Sequence, residues 1–154
     1  MRRHPVLAQA PERTEAMRCP KMQWLIERLA FKYQFNLSAA GGCLLLALPE
    51  SADRLLIASL SGERVGLTHC MADGEGYLAL DLDMVFLIVE DDLQPMELLH
   101  TDAVWEEYVQ GMAATDGVQV FDEAGEISLP RFAEYWASTL EQQRWLEQSQ
   151  RLRV

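Results

Sequence analysis

YLALDLDMVFLIVEDDLQPMELLH, residues 77–100, sets a run of apolar residues between carboxylates. Within it, Met84–Val89 is almost entirely apolar, which predicts a strand covered on both faces. Glu90–Asp92 marks the exit of that strand into solvent, and Leu93–Leu99 predicts a strand that pairs back on it. Pro95 places this second strand at an edge of the sheet, because proline donates no hydrogen bond to a neighbouring strand.

The residues before this stretch also alternate between apolar and polar with a period of two. The spacers Pro-Glu-Ser-Ala-Asp, Ser-Gly-Glu and Asp-Gly-Glu-Gly suit hairpin turns. We therefore predict an antiparallel meander. Its short strands are Cys43–Leu48, Arg54–Leu60, Arg64–Met71 and Tyr77–Leu82.

Helical periodicity begins near the N-terminal end. Apolar residues from Met22 to Tyr33 recur at i, i+3, i+4, i+7 and i+11, which predicts a helix over about Pro20–Phe35 with one buried face. Residues 1–18 lack periodicity and contain two prolines, so we interpret them as a mobile arm. A single domain then spans residues 19–150.

Two further helices are predicted in the second half. Thr101–Met112 is interpreted as a short helix capped by Asp102, with an edge strand as the alternative. Val118–Phe121 predicts a last hairpin that ends at Ile127. The helix that follows is capped by Ser128 and carries Pro130 in its first turn. Its predicted buried residues are Leu129, Phe132, Ala133, Trp136 and Leu140, with Trp145 and Leu146 as an extension.

These elements define the fold class as α+β. We expect an antiparallel sheet of about five to seven short strands, with the N-terminal helix and the long C-terminal helix packed on one face. The other face is then expected to carry the acidic residues.

The cysteines and the lengths of the apolar runs indicate the cellular compartment in which the protein is expected. Cys19, Cys43 and Cys70 are odd in number and far apart, so neither a disulfide framework nor a zinc ribbon is indicated. The first residues lack the apolar core of a signal peptide, and no apolar run approaches the length of a membrane span. The expected location is the cytoplasm, with no membrane association.

The formal charge of −11 is concentrated in the middle of the chain. Residues 33–127 hold 18 acids against two bases, which gives a net charge of −16, while both ends are mildly basic. Such a field repels nucleic acid and attracts basic proteins. We expect a basic protein partner and no direct nucleic-acid binding.

No pattern in the sequence indicates catalysis. A nucleophile needs an adjacent base, and only His4, His69 and His100 are available. Since His69 and Cys70 are neighbours in a predicted strand, they point to opposite faces and cannot form a pair. No phosphate-binding glycine motif is present. The expectation is a protein that is not an enzyme and has no cofactor and no metal site.

Carboxylates leave one catalytic alternative open. Asp81 and Asp83, together with the acids of residues 90–92, crowd the two ends of one apolar strand, and hard cations prefer several oxygen ligands. A pair of carboxylates can also act as an acid and a base when one of them lies in an apolar pocket. A carboxylate-dependent or metal-dependent enzyme is therefore kept as an alternative.

Recognition is the remaining class of function. Aromatic residues flanked by acids suit contact with a basic partner, because the aromatic rings anchor the complex and the carboxylates steer the encounter. In the alternative interpretation, Trp105 and Tyr108 belong to the core. The predicted partner-binding residues are Glu90, Asp91, Asp92, Asp102, Trp105, Glu106, Glu107 and Tyr108.

Residues 80–109 and 129–147 resemble a family of uncharacterised small acidic bacterial proteins carried on plasmids and integrating conjugative elements. The resemblance includes an acidic strand of the D-x-x-M-x-F type and a final W-x-x-x-L helix. The proline expected after the first aspartate of that strand is absent here. The family has no assigned activity, so the resemblance implies a fold and a cytoplasmic location only. The matching residues are Asp81, Met84, Phe86, Asp102, Trp136 and Leu140.

The order of the elements is also similar to type III secretion chaperones, which are small acidic proteins with an amphipathic first helix, a sheet and a long last helix. This resemblance implies a protein that holds an effector segment, and it leaves a homodimer open. The sequence thus predicts a binding or accessory protein with an acidic surface, acting for a mobile element or against a defence system by mimicking nucleic acid. A chaperone-like function is the alternative.

Overall fold

The computed structural model describes residues 2–4, 17–116 and 128–153 of the 154-residue chain. Helices and strands take up most of this part. Their bounds are β1 Arg2–His4, α1 Pro20–Lys32, β2 Cys43–Ala47, β3 Asp53–Ser61, β4 Arg64–Ala72, β5 Leu78–Val89, β6 Asp92–His100, α2 Asp102–Asp116, α3 Leu129–Gln142, α4 Trp145–Gln148 and β7 Gln150–Leu152.

The strands form one antiparallel sheet in the order β1-β6-β5-β4-β3-β2-β7. Strands β2 to β6 follow each other in sequence and in space, as expected for hairpin connections. The short strands β1 and β7 form its two edges. The α+β class, the antiparallel sheet and the predicted number of strands are therefore confirmed.

One face of the sheet packs against the helices to form the core. Alternate residues of the central strands, such as Leu55, Leu67 and Met84, are fully buried in one cluster with Phe132 and Trp136 of α3. Burial of apolar surface at about 25 cal/mol per Å² is the main stabilising contribution of such a core. In the described part of the chain, no helix has both the length and the apolar composition to cross a membrane.

The second face of the sheet differs from the prediction that it would carry the acids. Asp83 and Glu97 follow the alternation of this face, but so do half-buried apolar residues. These are Leu45, Leu56, Val85, Leu87 and Leu99. The prediction was wrong for Asp53, because it shares the alternation of the buried Leu55 and lies on the helix-covered face.

Three predicted elements differ in the structure. Tyr77–Leu82 and Met84–Val89 join into the single strand β5, since Asp83 continues the ladder by pairing with Thr68. The last helix ends at Gln142, because Arg144 adopts a left-handed φ of 64°, and Trp145 begins the separate helix α4. Strand β7, which was not predicted, follows. Strand β1 was not predicted either, and it lies within residues 1–18, which were interpreted as a mobile arm.

The predicted caps and turns have mixed outcomes. Thr101, rather than Asp102, caps α2, because its hydroxyl accepts a bond from the Val104 amide at 3.4 Å. Ser128 does occupy the N-cap of α3, although its side chain makes no capping bond. Pro95 lies at a β-bulge opposite Phe86. The predicted hairpin from Val118 lies outside the described residues.

Helices α1 and α3 are joined by one carboxylate. Glu134 of α3 accepts hydrogen bonds from the backbone amides of Lys21 and Met22 at 3.1 and 2.9 Å. These amides belong to the first turn of α1, where no residue of the same helix can accept them. A negative charge at a helix N-terminus is also favourable. Glu134 therefore fixes α1 against α3 over the sheet.

Candidate functional site

His69 lies between two carboxylates on the helix-covered face of the sheet. Its Nδ1 is 2.6 Å from Asp81 Oδ1, and its Nε2 is 3.0 Å from Asp53 Oδ1. The three side chains are largely buried, with exposed fractions of 17% for His69, 19% for Asp81 and 32% for Asp53. We name Asp53, His69 and Asp81 the histidine–carboxylate cluster.

Strand register brings the cluster together. His69 of β4 pairs with Leu55 of β3, so Asp53 lies two residues away on the same face. On the other side, the β4–β5 register shifts between His69 and Cys70, which leaves Asp81 as the extra residue of a bulge. A bulge redirects a side chain that regular alternation would place on the opposite face. Asp81 therefore reaches His69.

The two carboxylates favour a protonated imidazole. Burial lowers the pKa of His69, but hydrogen bonding and the charge of Asp81, followed by those of Asp53, outweigh it and raise the pKa overall. Only the imidazolium can donate from both ring nitrogens at once. With both nitrogens engaged, His69 has no lone pair for a metal ion or a substrate proton. This arrangement holds a charge and does not favour general base catalysis.

A half-open cavity of about 240 Å³ adjoins the cluster. Its sheet side is formed by the cluster itself, and its helix side by Glu107, Tyr108 and Trp136 together with Thr139 and Gln143. Sites for drug-sized ligands usually measure ~300–1,000 Å³. This cavity is therefore sized for a side chain or a small metabolite.

Two aromatic residues of the cavity wall carry polar atoms in unusual settings. Burial, followed by the charges of Glu107 and Asp81, raises the pKa of Tyr108, which keeps its hydroxyl protonated. Trp136 is fully buried, and its indole Nε1–H has no hydrogen-bond partner within the described residues. A buried donor without a partner costs about 1–3 kcal/mol. Trp136 Nε1–H is therefore an unsatisfied buried hydrogen-bond donor within the described residues.

The W136F variant is expected to lose about 1 kcal/mol less stability than the W145F variant. Urea unfolding of the two variants measures this difference. Both tryptophans are fully buried, but Trp145 Nε1 donates to Gln143 Oε1 at 2.9 Å, so only W145F loses a hydrogen bond. The reverse order of stabilities would show that the Trp136 indole has a partner outside the described residues.

Cysteine and metal chemistry find little support in the described part of the chain. Burial, followed by the charges of Glu134 and Asp92, raises the pKa of the Cys19 thiol to about 12. Burial and then Asp81 and Asp83 raise the pKa of Cys70. Both thiols are therefore poor nucleophiles. Residues 2–4, 17–116 and 128–153 contain no group of three or more histidine, cysteine or acidic residues arranged to hold a metal ion.

The predicted partner-binding residues fall into two groups at opposite ends of β6. Glu90 and Asp91 form the exposed turn between β5 and β6, where both adopt positive φ. Asp92 begins β6 and pairs with Arg18 at 3.1 Å. Asp102 and the residues after it follow the other end of β6, about 27 Å away at 3.4 Å per residue. The eight residues do not form one surface.

Within α2 the aromatic and acidic residues point to opposite sides. Trp105 stacks on His100 at 4.4 Å between ring centroids and on Phe132 at 5.9 Å, and Tyr108 contacts Phe132 at 5.4 Å. Asp102, Glu106 and Glu107 are exposed. The structure therefore places the two rings against the core, which was the alternative interpretation, and leaves an acidic outer side, which we call the α2 acidic face.

Sequence reasoning treated His69 as an ordinary strand residue and Trp136 as helix packing. The sequence did contain a signal that these residues are buried. His69 lies in phase with the buried residues Val65 and Leu67 of β4, and Asp53 lies in phase with the buried Leu55 of β3. An ionisable residue in phase with buried apolar residues indicates a buried polar contact. His69 and Cys70 do lie on opposite faces, as predicted.

Comparisons of this chain with known protein families, with curated proteins and with solved structures found no match. The two family resemblances drawn from the sequence therefore stay predictions.

Proposed function

We propose that this chain is a binding protein without catalytic activity, which docks a basic protein partner on the α2 acidic face. The observation that supports the proposal is the orientation of α2. Its two rings pack inward on Phe132, so the helix is held firmly, while Asp102, Glu106 and Glu107 face solvent. Fixed carboxylates on a rigid helix attract and orient a basic surface.

The cavity strengthens the negative field beside this face. Glu107 belongs both to the α2 acidic face and to the residues that line the cavity, as do Asp53 and Asp81. The histidine–carboxylate cluster offsets these three negative charges with one positive charge, the imidazolium of His69. The predicted roles in a mobile element and in nucleic-acid mimicry remain proposals, as does the cytoplasmic location.

The test compares two charge-matched double variants, E106Q/E107Q and E63Q/E90Q. All four residues are exposed, but Glu63 and Glu90 lie in turns at the other end of the sheet. Binding of a fluorescent lysine-rich peptide is measured by anisotropy while salt is raised. Loss of two contacts of about 0.5 kcal/mol each predicts that E106Q/E107Q binds about fivefold more weakly than E63Q/E90Q. Equal weakening by both variants would contradict docking on α2.

The same variants serve as baits in a pull-down from the native cell at low salt. Proteins that dock on the α2 acidic face should be captured by the wild type and E63Q/E90Q, lost with E106Q/E107Q, and released as salt rises. Capture that is identical for all three baits would count against the proposed surface.

The apolar second face of the sheet favours a second candidate function, in which the chain holds an extended effector segment and dimerises as secretion chaperones do. Leu56, Val85 and Leu99 lie half-buried on this face, and apolar patches of this kind mark interaction sites. A charge placed there by V85K should dissociate a dimer in light scattering after size exclusion. A wild type that stays monomeric at all concentrations would remove this candidate.

A further inference from the structure

The outer side of α1 exposes two large aromatic side chains. Trp24 is 49% exposed and Phe31 is 76% exposed, whereas folded proteins bury most of such apolar surface. Arg28 lies between them on the same side of the helix. Its guanidinium carbon is 5.9 Å from the centroid of the Trp24 ring and 5.7 Å from that of Phe31. We name Trp24, Arg28 and Phe31 the α1 outer face.

This face has the composition and charge of a protein interface. Tryptophan and arginine are enriched among the residues that dominate binding energy, and phenylalanine is enriched in interfaces generally. Cation–π contacts with the two rings hold the guanidinium in place before a partner arrives. The exposed ionisable residues of α1 are the bases Lys21, Arg28 and Lys32 and the acid Glu27, which gives a net charge of +2. The face therefore suits an acidic partner.

We infer that the α1 outer face binds the α2 acidic face of a second copy of this chain, and that two such contacts form a symmetric dimer. The charges of the two faces are complementary, and both faces are exposed in the single chain, so the contact requires a second molecule. A two-fold axis lets each face meet its complement on the other copy. The inference rests on the proposed function, because the docked basic surface is here supplied by a second copy.

The spacing of the exposed residues fits the two helices together. The two rings of the α1 outer face are seven residues apart, about 10.5 Å along the helix axis at 1.5 Å per residue. On α2, the exposed Ala103 and Gln110 are also seven residues apart. Arg28 follows the first ring by four residues, and Glu106 precedes Gln110 by four. Antiparallel helices therefore place the rings beside Ala103 and Gln110 while Arg28 meets Glu106.

The test exchanges the two charges between copies. In sedimentation equilibrium at low salt, R28E and E106R should each dimerise at least tenfold more weakly than the wild type, because like charges then meet in both contacts. An equimolar mixture of the two variants should dimerise again, because one contact has the exchanged pair and the other has the native pair. A mixture that stays monomeric, or a wild type that does so at all concentrations, would overturn the inference.

A matched variant controls for the change of charge. R64E reverses an exposed arginine at the start of β4, so it should dimerise as the wild type does. Arg28, Arg64 and Glu106 are all exposed, so the variants should fold, which circular dichroism checks. Equal weakening by R64E and R28E would show that the total charge, and not the α1 outer face, controls the association, and would overturn the inference.

Two other occupants give different results. A dimer that V85K dissociates and R28E leaves intact would place the contact on the second face of the sheet and overturn the inference. An anionic lipid surface is the other alternative, because aromatic and basic residues on one side of a helix also suit a membrane interface. Flotation of a monomeric wild type with phosphatidylserine vesicles, lost in W24A/F31A, would assign the α1 outer face to lipid and overturn the inference.

The lysine-rich peptide separates this inference from the proposed function. If the peptide binds E106Q/E107Q more weakly but the mixture of R28E and E106R stays monomeric, docking on α2 stands and self-association is refuted. If the mixture dimerises but the peptide binds E106Q/E107Q and E63Q/E90Q equally, the inference stands, and the α2 acidic face serves a second copy and not a separate basic protein.

Discussion

Replacing Trp105 with alanine is expected to lower the free energy of unfolding by about 3 kcal/mol. The ring packs on His100 and Phe132, and truncation of a buried tryptophan or phenylalanine to alanine typically costs about 3–5 kcal/mol. We take the lower end because Trp105 is only partly buried. Urea unfolding followed by circular dichroism measures the change.

The neighbouring E106A variant is the control for this prediction. Glu106 is exposed on the same helix, so its removal should change stability by no more than about 0.5 kcal/mol. If W105A kept wild-type stability but lost binding of the lysine-rich peptide, Trp105 would be a surface anchor, as the sequence pattern suggested. The structure predicts the opposite division of roles, with aromatic residues for stability and carboxylates for docking.

Replacing His69 with glutamine should cost about 2 kcal/mol near pH 6, and less as the pH rises. Removing one partner of a buried ion pair costs about 3–5 kcal/mol, and we reduce this figure because the cluster is partly exposed. Without the imidazolium, Asp53 and Asp81 face each other with no positive charge between them. Urea unfolding of the wild type and H69Q at several pH values measures the difference.

The pH dependence follows from the raised pKa of His69. A group whose pKa is higher in the folded state stabilises the fold fully below its unfolded pKa, which is about 6.5 for histidine. This contribution is lost as the pH rises through the folded pKa. The stability of the wild type should therefore approach that of H69Q above about pH 6.5. Parallel pH profiles of the two proteins would show that His69 is not charged in the cluster.

A double variant separates charge from packing. H69Q/D81N removes one of the two opposed carboxylates, so it should be more stable than H69Q alone. If the double variant were less stable, repulsion between the Asp53 and Asp81 carboxylates would not be what destabilises H69Q.

The sheet could be predicted from the sequence because its signal is local. Alternation with a period of two and short polar spacers are properties of neighbouring residues, so the paired strands from Cys43 to Leu99 could be recognised. The end of α3 could not, because Arg144 adopts a left-handed φ that its residue type does not favour. Strand β7 is too short to show alternation.

The candidate site depends on information that is not local. Asp53 and Asp81 lie 16 and 12 residues from His69, and only the pairing register brings them together. Regular alternation in β5 would place Asp81 on the face opposite Leu82, and the bulge reverses this. Because the sequence does not locate a bulge, the carboxylates of this strand suggested a metal site or a catalytic pair of carboxylates instead.

The bond from Glu134 to the first turn of α1 has a consequence for biosynthesis. The two ends of this contact are more than 110 residues apart, so the amides of Lys21 and Met22 have no carboxylate acceptor until Glu134 has been synthesised. A contact of such high sequence separation is slow to close. On the ribosome, α1 and the meander therefore emerge long before the helix that anchors them. We expect this domain to complete its core late, with α1 among the last elements to become protected from hydrogen exchange.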